Sequence, residues 1–144
     1  MRLKCVFPMA IFMMSCTSEP ELQRFQVSIF NGTSELLFIE AYYQGVLKEE
    51  LNLETNDSGL DCSYSNEFFT GYKSNINIGC PIDSVVFKFN NNNIGYISSV
   101  NSESPYDFNE SGALFGASEK FQKIADKYLF RVTQQDFENA FVLP

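Results

Sequence analysis

Apolar and polar residues alternate along most of the chain, which is the pattern of β-strands with one buried face. The alternation is clearest at residues 25–29, 85–89 and 128–132. Two further apolar runs, residues 36–43 and 46–53, are separated by a short turn that contains a glycine. Together these segments predict an antiparallel meander followed by later strands.

Weaker strand signals lie in the middle of the chain. Residues 68–72 and 75–78 are strand candidates, whereas residues 55–59 and 101–118 have the composition of loops. Four consecutive asparagines follow residue 89, and residues 94–98 then return as a strand. Because asparagine tolerates left-handed backbone and caps turns, this run predicts a hairpin loop.

Two short helices are predicted near the C-terminus. The first begins at Ser118, and its apolar positions recur at i, i+3, i+4 and i+7: Phe121, Ile124, Ala125 and Tyr128. Three lysines are expected on the solvated face of this helix: Lys120, Lys123 and Lys127. The second helix begins with Thr133 and Asp136 at the spacing of a capping box. Its apolar face is formed by Phe137, Ala140 and Phe141.

These elements predict the fold class. About seven to eight short strands with turns between them are typical of an all-β, antiparallel β-sandwich, immunoglobulin-like or related. The two helical segments are accessories. We expect residues 25–144 to form a single β domain, because about 130 residues suffice for one core.

The first sixteen residues have a different character. Arg2 and Lys4 precede an apolar run of about ten residues, too short to span a bilayer, and Ser15 and Cys16 follow it. The segment resembles a bacterial lipoprotein signal peptide, which implies removal of residues 1–15 and acylation of Cys16. Residues 16–24 are then a tether. An ordinary signal peptide cut near Ser15, or an uncleaved anchor, is the alternative.

Charge restricts the partners. Loss of Arg2 and Lys4 with the signal takes the net charge from −8 to −10, which repels nucleic acid and anionic lipid surfaces. The expected partners are the lipid bilayer, through acylated Cys16, and a protein or a glycan. The expected location is the bacterial cell envelope, as an outer membrane lipoprotein on either the periplasmic or the surface side.

Two cysteines remain once Cys5 is removed and Cys16 is acylated. Cys62 and Cys80 form an even pair in a compartment that permits disulfides, so we predict a bridge, with two buried free thiols as the alternative. The chain has no histidine, which excludes triads that depend on an imidazole base and argues against a zinc site. No cofactor and no metal are predicted.

Three segments resemble a family of small Bacteroidota cell-envelope lipoproteins of unassigned function: residues 29–45, 83–89 and 128–140. This resemblance implies an envelope β-domain without catalytic residues. Asp83, Ser84 and Val85 also resemble a short Bacteroidota O-glycosylation pattern, with Ser84 as the candidate O-glycan acceptor. A hydroxyl at the start of a strand explains the same residues without a sugar.

Two further candidate sites are weaker. Glu54, Asn56 and Ser58 faintly resemble a calcium loop, but an acidic turn is the preferred interpretation because Ser65 occupies the twelfth position. Six aromatic residues either form a binding face or fill the core, and the core is favoured: Tyr42, Tyr43, Tyr64, Phe68, Phe69 and Tyr72.

The sequence therefore favours a membrane-anchored envelope lipoprotein with a non-catalytic binding or structural role. One alternative is a lipocalin-like barrel that carries a small apolar ligand in its mouth. Another is a hydrolase that uses carboxylates alone, which requires two facing acids in a cleft.

Overall fold

The structure is a computed structural model, and it describes residues 18–73, 80–90, 92–101, 103–109 and 113–144. The predicted acylation site Cys16 and the strand candidate at residues 75–78 lie outside these ranges.

The described residues form nine strands: β1 (Gln23–Gly32), β2 (Leu37–Tyr43), β3 (Val46–Leu53), β4 (Ser58–Asn66), β5 (Ser84–Phe89), β6 (Ile94–Ser99), β7 (Phe121–Ile124), β8 (Lys127–Thr133) and β9 (Phe141–Val142). A 3₁₀ turn covers Ala113–Phe115, and one short helix among the described residues, α1, covers Gln134–Glu138. No helix in the described part of the chain has the length and apolar character needed to cross a bilayer.

The strands form two sheets, as a β-sandwich requires. The first has the order β4-β1-β8-β7, and the second has the order β3-β2-β5-β6-β9. Pairing is antiparallel except between β1 and β8, which run parallel. The predicted all-β, mostly antiparallel sandwich is confirmed.

Aromatic rings fill the space between the sheets. Phe130 on β8 and Phe87 on β5 are fully buried and face each other across the sandwich, with ring centroids 6.0 Å apart. Phe108, from the loop after β6, packs against both rings. Alternation on each strand explains this arrangement, because Val85, Phe87 and Phe89 point inward while Lys88 stays on the outer face.

The predicted disulfide is confirmed. Cys62 lies on β4 and Cys80 lies in the segment that leads to β5, and their Cα atoms are 6.0 Å apart. The bridge therefore ties the first sheet to the segment that crosses to the second.

The predicted helix from Ser118 to Tyr128 is wrong. Its residues form a β-hairpin in which β7 and β8 are joined by Ala125 and Asp126, with Ala125 at a φ of +52°. Helices this short have little stability of their own, so tertiary contacts decide the outcome. As a strand residue, Phe121 places its ring 5.2 Å from the ring of Phe130.

The strand prediction at residues 68–72 is also wrong, and β4 lies just before that segment. The inward residues of β4, Leu60, Cys62 and Tyr64, are buried, and polar residues alternate with them. This period-two pattern is the sequence signal that could have predicted β4. The serine, aspartate and glycine residues of the segment have low strand propensity, which made the signal weak.

The predicted cap of the last helix is confirmed, but the helix is shorter than expected. The Thr133 side chain accepts a hydrogen bond from the Asp136 backbone N–H, and the Asp136 carboxylate accepts one from the Thr133 N–H. The helix ends at Glu138, and Phe141 belongs to β9, where it pairs with Gly95.

The segment after β4 is anchored by Tyr72, which is fully buried. Its hydroxyl donates to the Leu60 carbonyl at 2.7 Å, and its N–H donates to the Leu114 carbonyl at 3.0 Å. Gly71 precedes it at a φ of +60°, and a Cβ there would lie 2.6 Å from the Leu114 carbonyl oxygen. Burial raises the pKa of Tyr72 well above its usual value of 10.0, and the charges of Asp61 and Glu49 raise it further.

This raised pKa predicts a loss of stability at alkaline pH. Above about pH 10 the tyrosine ionises in the unfolded chain but stays neutral in the folded protein, so the unfolded state binds fewer protons and the free energy of unfolding falls. The slope from one such group is at most about 1.4 kcal/mol per pH unit. We expect Tyr72→Phe to be less stable than the native protein by about 1 kcal/mol at pH 8, through loss of one hydrogen bond. The deficit should shrink or reverse at pH 11 in urea titrations, and an equal deficit at both pH values would contradict this account.

Candidate ligand-binding cleft

The two ends of the sandwich differ in chemistry. Because β1 and β8 are parallel and β7 is antiparallel to β8, the start of β1 at Gln23 and the turn at Asp126 share one end. We call this the Gln23 end. Gly32 and Thr133, the last residues of β1 and β8, pair at the opposite end, which we call the Gly32 end.

Amide side chains hold the loops together at the Gly32 end. Asn31 is fully buried, and its Nδ2 donates to the carbonyls of Glu35 at 2.8 Å and Leu53 at 2.9 Å. Its Oδ1 accepts from the Thr33 N–H and hydroxyl. Such a satisfied amide fixes the loops around it.

Two further hydrogen bonds hold the loop between β1 and β2 at this end. The Gln134 Oε1 accepts from the Ser34 N–H at 2.9 Å, and the Asn90 Oδ1 accepts from the Leu36 N–H at 3.2 Å. Asn90, the first of the asparagine run, thus fixes the start of the connection between the antiparallel neighbours β5 and β6, where the sequence predicts a hairpin loop.

A buried ion pair lies behind these loops. The Nζ of Lys120 is 2.5 Å from Oδ2 of Asp136, and the two side chains are 5% and 13% exposed. The sequence predicted that Lys120 lies on the solvated face of a helix, and this prediction is wrong. Lys120 lies just before β7, where its carbonyl accepts from the Arg131 N–H at 3.0 Å. Formation of the hairpin turns its side chain toward α1.

Aromatic rings complete the surroundings of this lysine. Its Nζ lies 4.9 Å from the centroid of the Phe108 ring and 5.5 Å from that of Phe130, both within the range of cation–π attraction. Tyr96 stacks on Phe108 with centroids 4.0 Å apart, and its hydroxyl donates to the Asp136 carbonyl at 2.7 Å.

The ion pair lies in a cleft of about 310 Å³ at the Gly32 end. The rings of Tyr96 and Phe108 lie beneath the cleft and are only 4% and 5% exposed. Its rim consists of four exposed polar residues: Asn109, Thr133, Gln135 and Asn139. The volume is at the lower end of the range for small-molecule sites, about 300–1,000 Å³.

The electrostatics of the cleft are balanced. Asp136 neutralises Lys120, and the rim residues contribute amides and a hydroxyl without net charge. The Oδ2 of Asp136 is engaged by both Lys120 and the Thr133 N–H. An ammonium has three donors, so Lys120 can still donate to a group placed in the cleft.

Three of the six candidate aromatic residues serve the core, a role that the favoured interpretation expected of most of them. Tyr64 and Tyr72 are buried, and Phe69 stacks on Tyr128 with centroids 4.0 Å apart. Phe68 is 73% exposed, and Tyr42 and Tyr43 are half-buried. The Tyr42 hydroxyl donates to Glu40 at 2.8 Å, and this hydrogen bond, together with burial, raises its pKa. The six residues therefore do not form a single exposed aromatic face.

The other predicted sites fall elsewhere. Ser84 begins β5, opposite Ser99 and Tyr42, and its glycosylation stays a prediction. Asn56 has a φ of +68° in the turn between β3 and β4, and its N–H donates to the Asn31 carbonyl. Within the described ranges, no three His, Cys, Asp or Glu side chains are arranged to hold a metal ion.

A second depression, of about 300 Å³, lies at the Gln23 end. Arg24 and Lys123 line it with Asp126, at the first residues of β1 and beside the β7–β8 turn. Its charged groups are carried by exposed residues, whereas the cleft at the Gly32 end is built on a buried ion pair. We therefore take the latter as the candidate functional site.

Comparison with known proteins gives no match to the chain among family models, curated proteins or solved structures.

Proposed function

We propose that this chain is a bacterial envelope lipoprotein, held on the outer membrane by acylated Cys16, with a non-catalytic binding role. The observation that carries the binding role is the cleft at the Gly32 end, where the buried pair of Lys120 and Asp136 lies among polar rim residues. The basic, apolar start that ends at Cys16 supports the anchor.

The topology supports this arrangement. Six residues lie between Cys16 and Gln23, where β1 begins, and the seven Cα–Cα steps that join the two span at most about 25 Å. An anchor at Cys16 therefore holds the Gln23 end toward the bilayer. The ten residues of β1 then extend about 33 Å to the opposite end. The cleft would open away from the membrane, where a ligand or partner can reach it.

The chemistry of the cleft favours binding over catalysis. The residues described along the cleft include one carboxylate, that of Asp136. It is engaged by Lys120 and by the helix cap. Hydrolysis by carboxylates needs two facing acids. The lipocalin-like alternative needs a closed barrel with an open mouth, but the described strands form two sheets with a ring-filled interior.

The anchor is tested by Cys16→Ala, with Cys5→Ala as the matched control in the same signal segment. Loss of the thiol removes the acylation site, so we expect Cys16→Ala to leave the membrane fraction and to keep its signal, which raises its apparent mass. Cys5→Ala should fractionate and migrate like the native protein. Fractionation of the three proteins and intact-mass measurement provide the readout. Native-like mass and membrane partition for Cys16→Ala would disprove the lipoprotein assignment.

A further inference from the structure

We infer that the cleft at the Gly32 end binds a neutral, hydroxyl-rich ligand, of the chemical class and size of a mono- or disaccharide. This inference rests on the proposed binding function and adds the ligand class. It comes from three features of the cleft: its balanced charge, its mixture of donors and acceptors, and its size.

Charge balance argues against an ionic ligand. A lone buried lysine would attract an anion, but Asp136 already compensates Lys120 at 2.5 Å. An anion would also approach a chain whose formal charge is −8. A cation would have to compete with Lys120 for a carboxylate that has little exposure. Both would lose hydration without gaining an uncompensated partner, which is costly in a confined site.

The mixture of donors and acceptors favours hydroxyl groups. Amide side chains present both a carbonyl and an NH₂ group, and Gln135 and Asn139 place such groups on the rim. Lys120 adds N–H donors, and the hydroxyl of Thr133 both donates and accepts. A sugar hydroxyl also donates and accepts, so it can satisfy either kind of group.

The size of the cleft fits the same class. Tyr96 and Phe108 lie beneath the polar rim, but they stack on each other and are only 4% and 5% exposed, so contact with the ligand falls to the polar groups. A cleft of about 310 Å³ suits one or two sugar rings.

The experiment uses the full chain, purified in a detergent without a sugar headgroup. The neutral probes are maltose, cellobiose and N,N′-diacetylchitobiose, and the charged probes of similar size are glucuronate and spermidine. Saturation-transfer NMR identifies the probes that bind, and calorimetry measures their Kd. The test variants are Gln135→Ala and Asn139→Ala, both on the exposed rim, and the control is Asn52→Ala, an exposed amide on β3.

We expect at least one neutral sugar to bind, and each rim variant to raise its Kd about three- to tenfold, the effect of one lost hydrogen bond. Asn52→Ala should leave the Kd unchanged. Binding of the neutral sugars that is insensitive to both rim variants would overturn the inference, as would no binding by any of them.

The ligand class and the proposed function fail in different ways. If glucuronate or spermidine binds and the rim variants abolish that binding, the neutral ligand class is wrong while the binding role of the cleft stands. The membrane anchor is tested separately by the fractionation of Cys16→Ala, which no sugar titration affects.

Discussion

Replacement of Phe130 by alanine is expected to lower the free energy of unfolding by about 3–5 kcal/mol, the usual cost of truncating a buried phenylalanine. The ring is fully buried on β8, and it meets Phe87 of the opposite sheet and Phe108 of the connecting loop. Alanine would leave a cavity where the two sheets meet. Since domains have only about 5–15 kcal/mol of stability, this is a large share.

Urea unfolding monitored by circular dichroism measures this loss as a shift of the midpoint at constant slope. Two variants serve as controls. Phe130→Leu keeps most of the volume and should cost markedly less than the alanine variant. Phe68→Ala removes a ring that is 73% exposed and should change stability by less than about 0.5 kcal/mol. Equal losses for Phe130→Ala and Phe68→Ala would show that the core does not depend on this ring.

The strands that sequence reasoning found are those whose local pattern and tertiary role agree. Burial alternates strictly along residues 84–89, and three apolar side chains share the buried face, so propensity, pattern and packing all favour a strand. The cap at Thr133 was equally predictable from the sequence, because the partners in a capping box are three residues apart.

The β7–β8 hairpin shows where local reasoning failed. Phe121, Ile124, Ala125 and Tyr128 fit a helical stripe, yet Ile124 is 48% exposed and Ala125 forms the turn. What decides the structure is pairing with β8 and contact with Phe130, both of which depend on the rest of the fold. A helical pattern of one or two turns carries too little energy to resist such contacts.

The candidate cleft was hidden for the same reason. Lys120 and Asp136 are sixteen residues apart, and they meet because the hairpin returns the chain to the Gly32 end and the cap begins α1 there. Tyr96 and Phe108 come from β6 and the loop after it. No local spacing joins these four residues, so only the fold brings them together.

The buried ion pair provides the last large effect. Lys120→Met is expected to cost about 2–4 kcal/mol, because it leaves the Asp136 carboxylate with 13% exposure and without its partner charge. Asp136→Asn should cost a similar amount by leaving the ammonium uncompensated, although an amide oxygen can still accept from the Thr133 N–H.

The double variant Lys120→Met/Asp136→Asn should then lose less than the sum of the single losses, with a coupling of about 1.5–3 kcal/mol between contacting residues. The matched control is the more exposed pair of Lys88 and Glu40, separated by 3.2 Å, where Lys88→Met should cost less than about 1 kcal/mol. Urea unfolding of the single and double variants completes the cycle. Strictly additive losses would mean that Lys120 is held mainly by the rings of Phe108 and Phe130, because their attraction for the ammonium does not depend on the carboxylate.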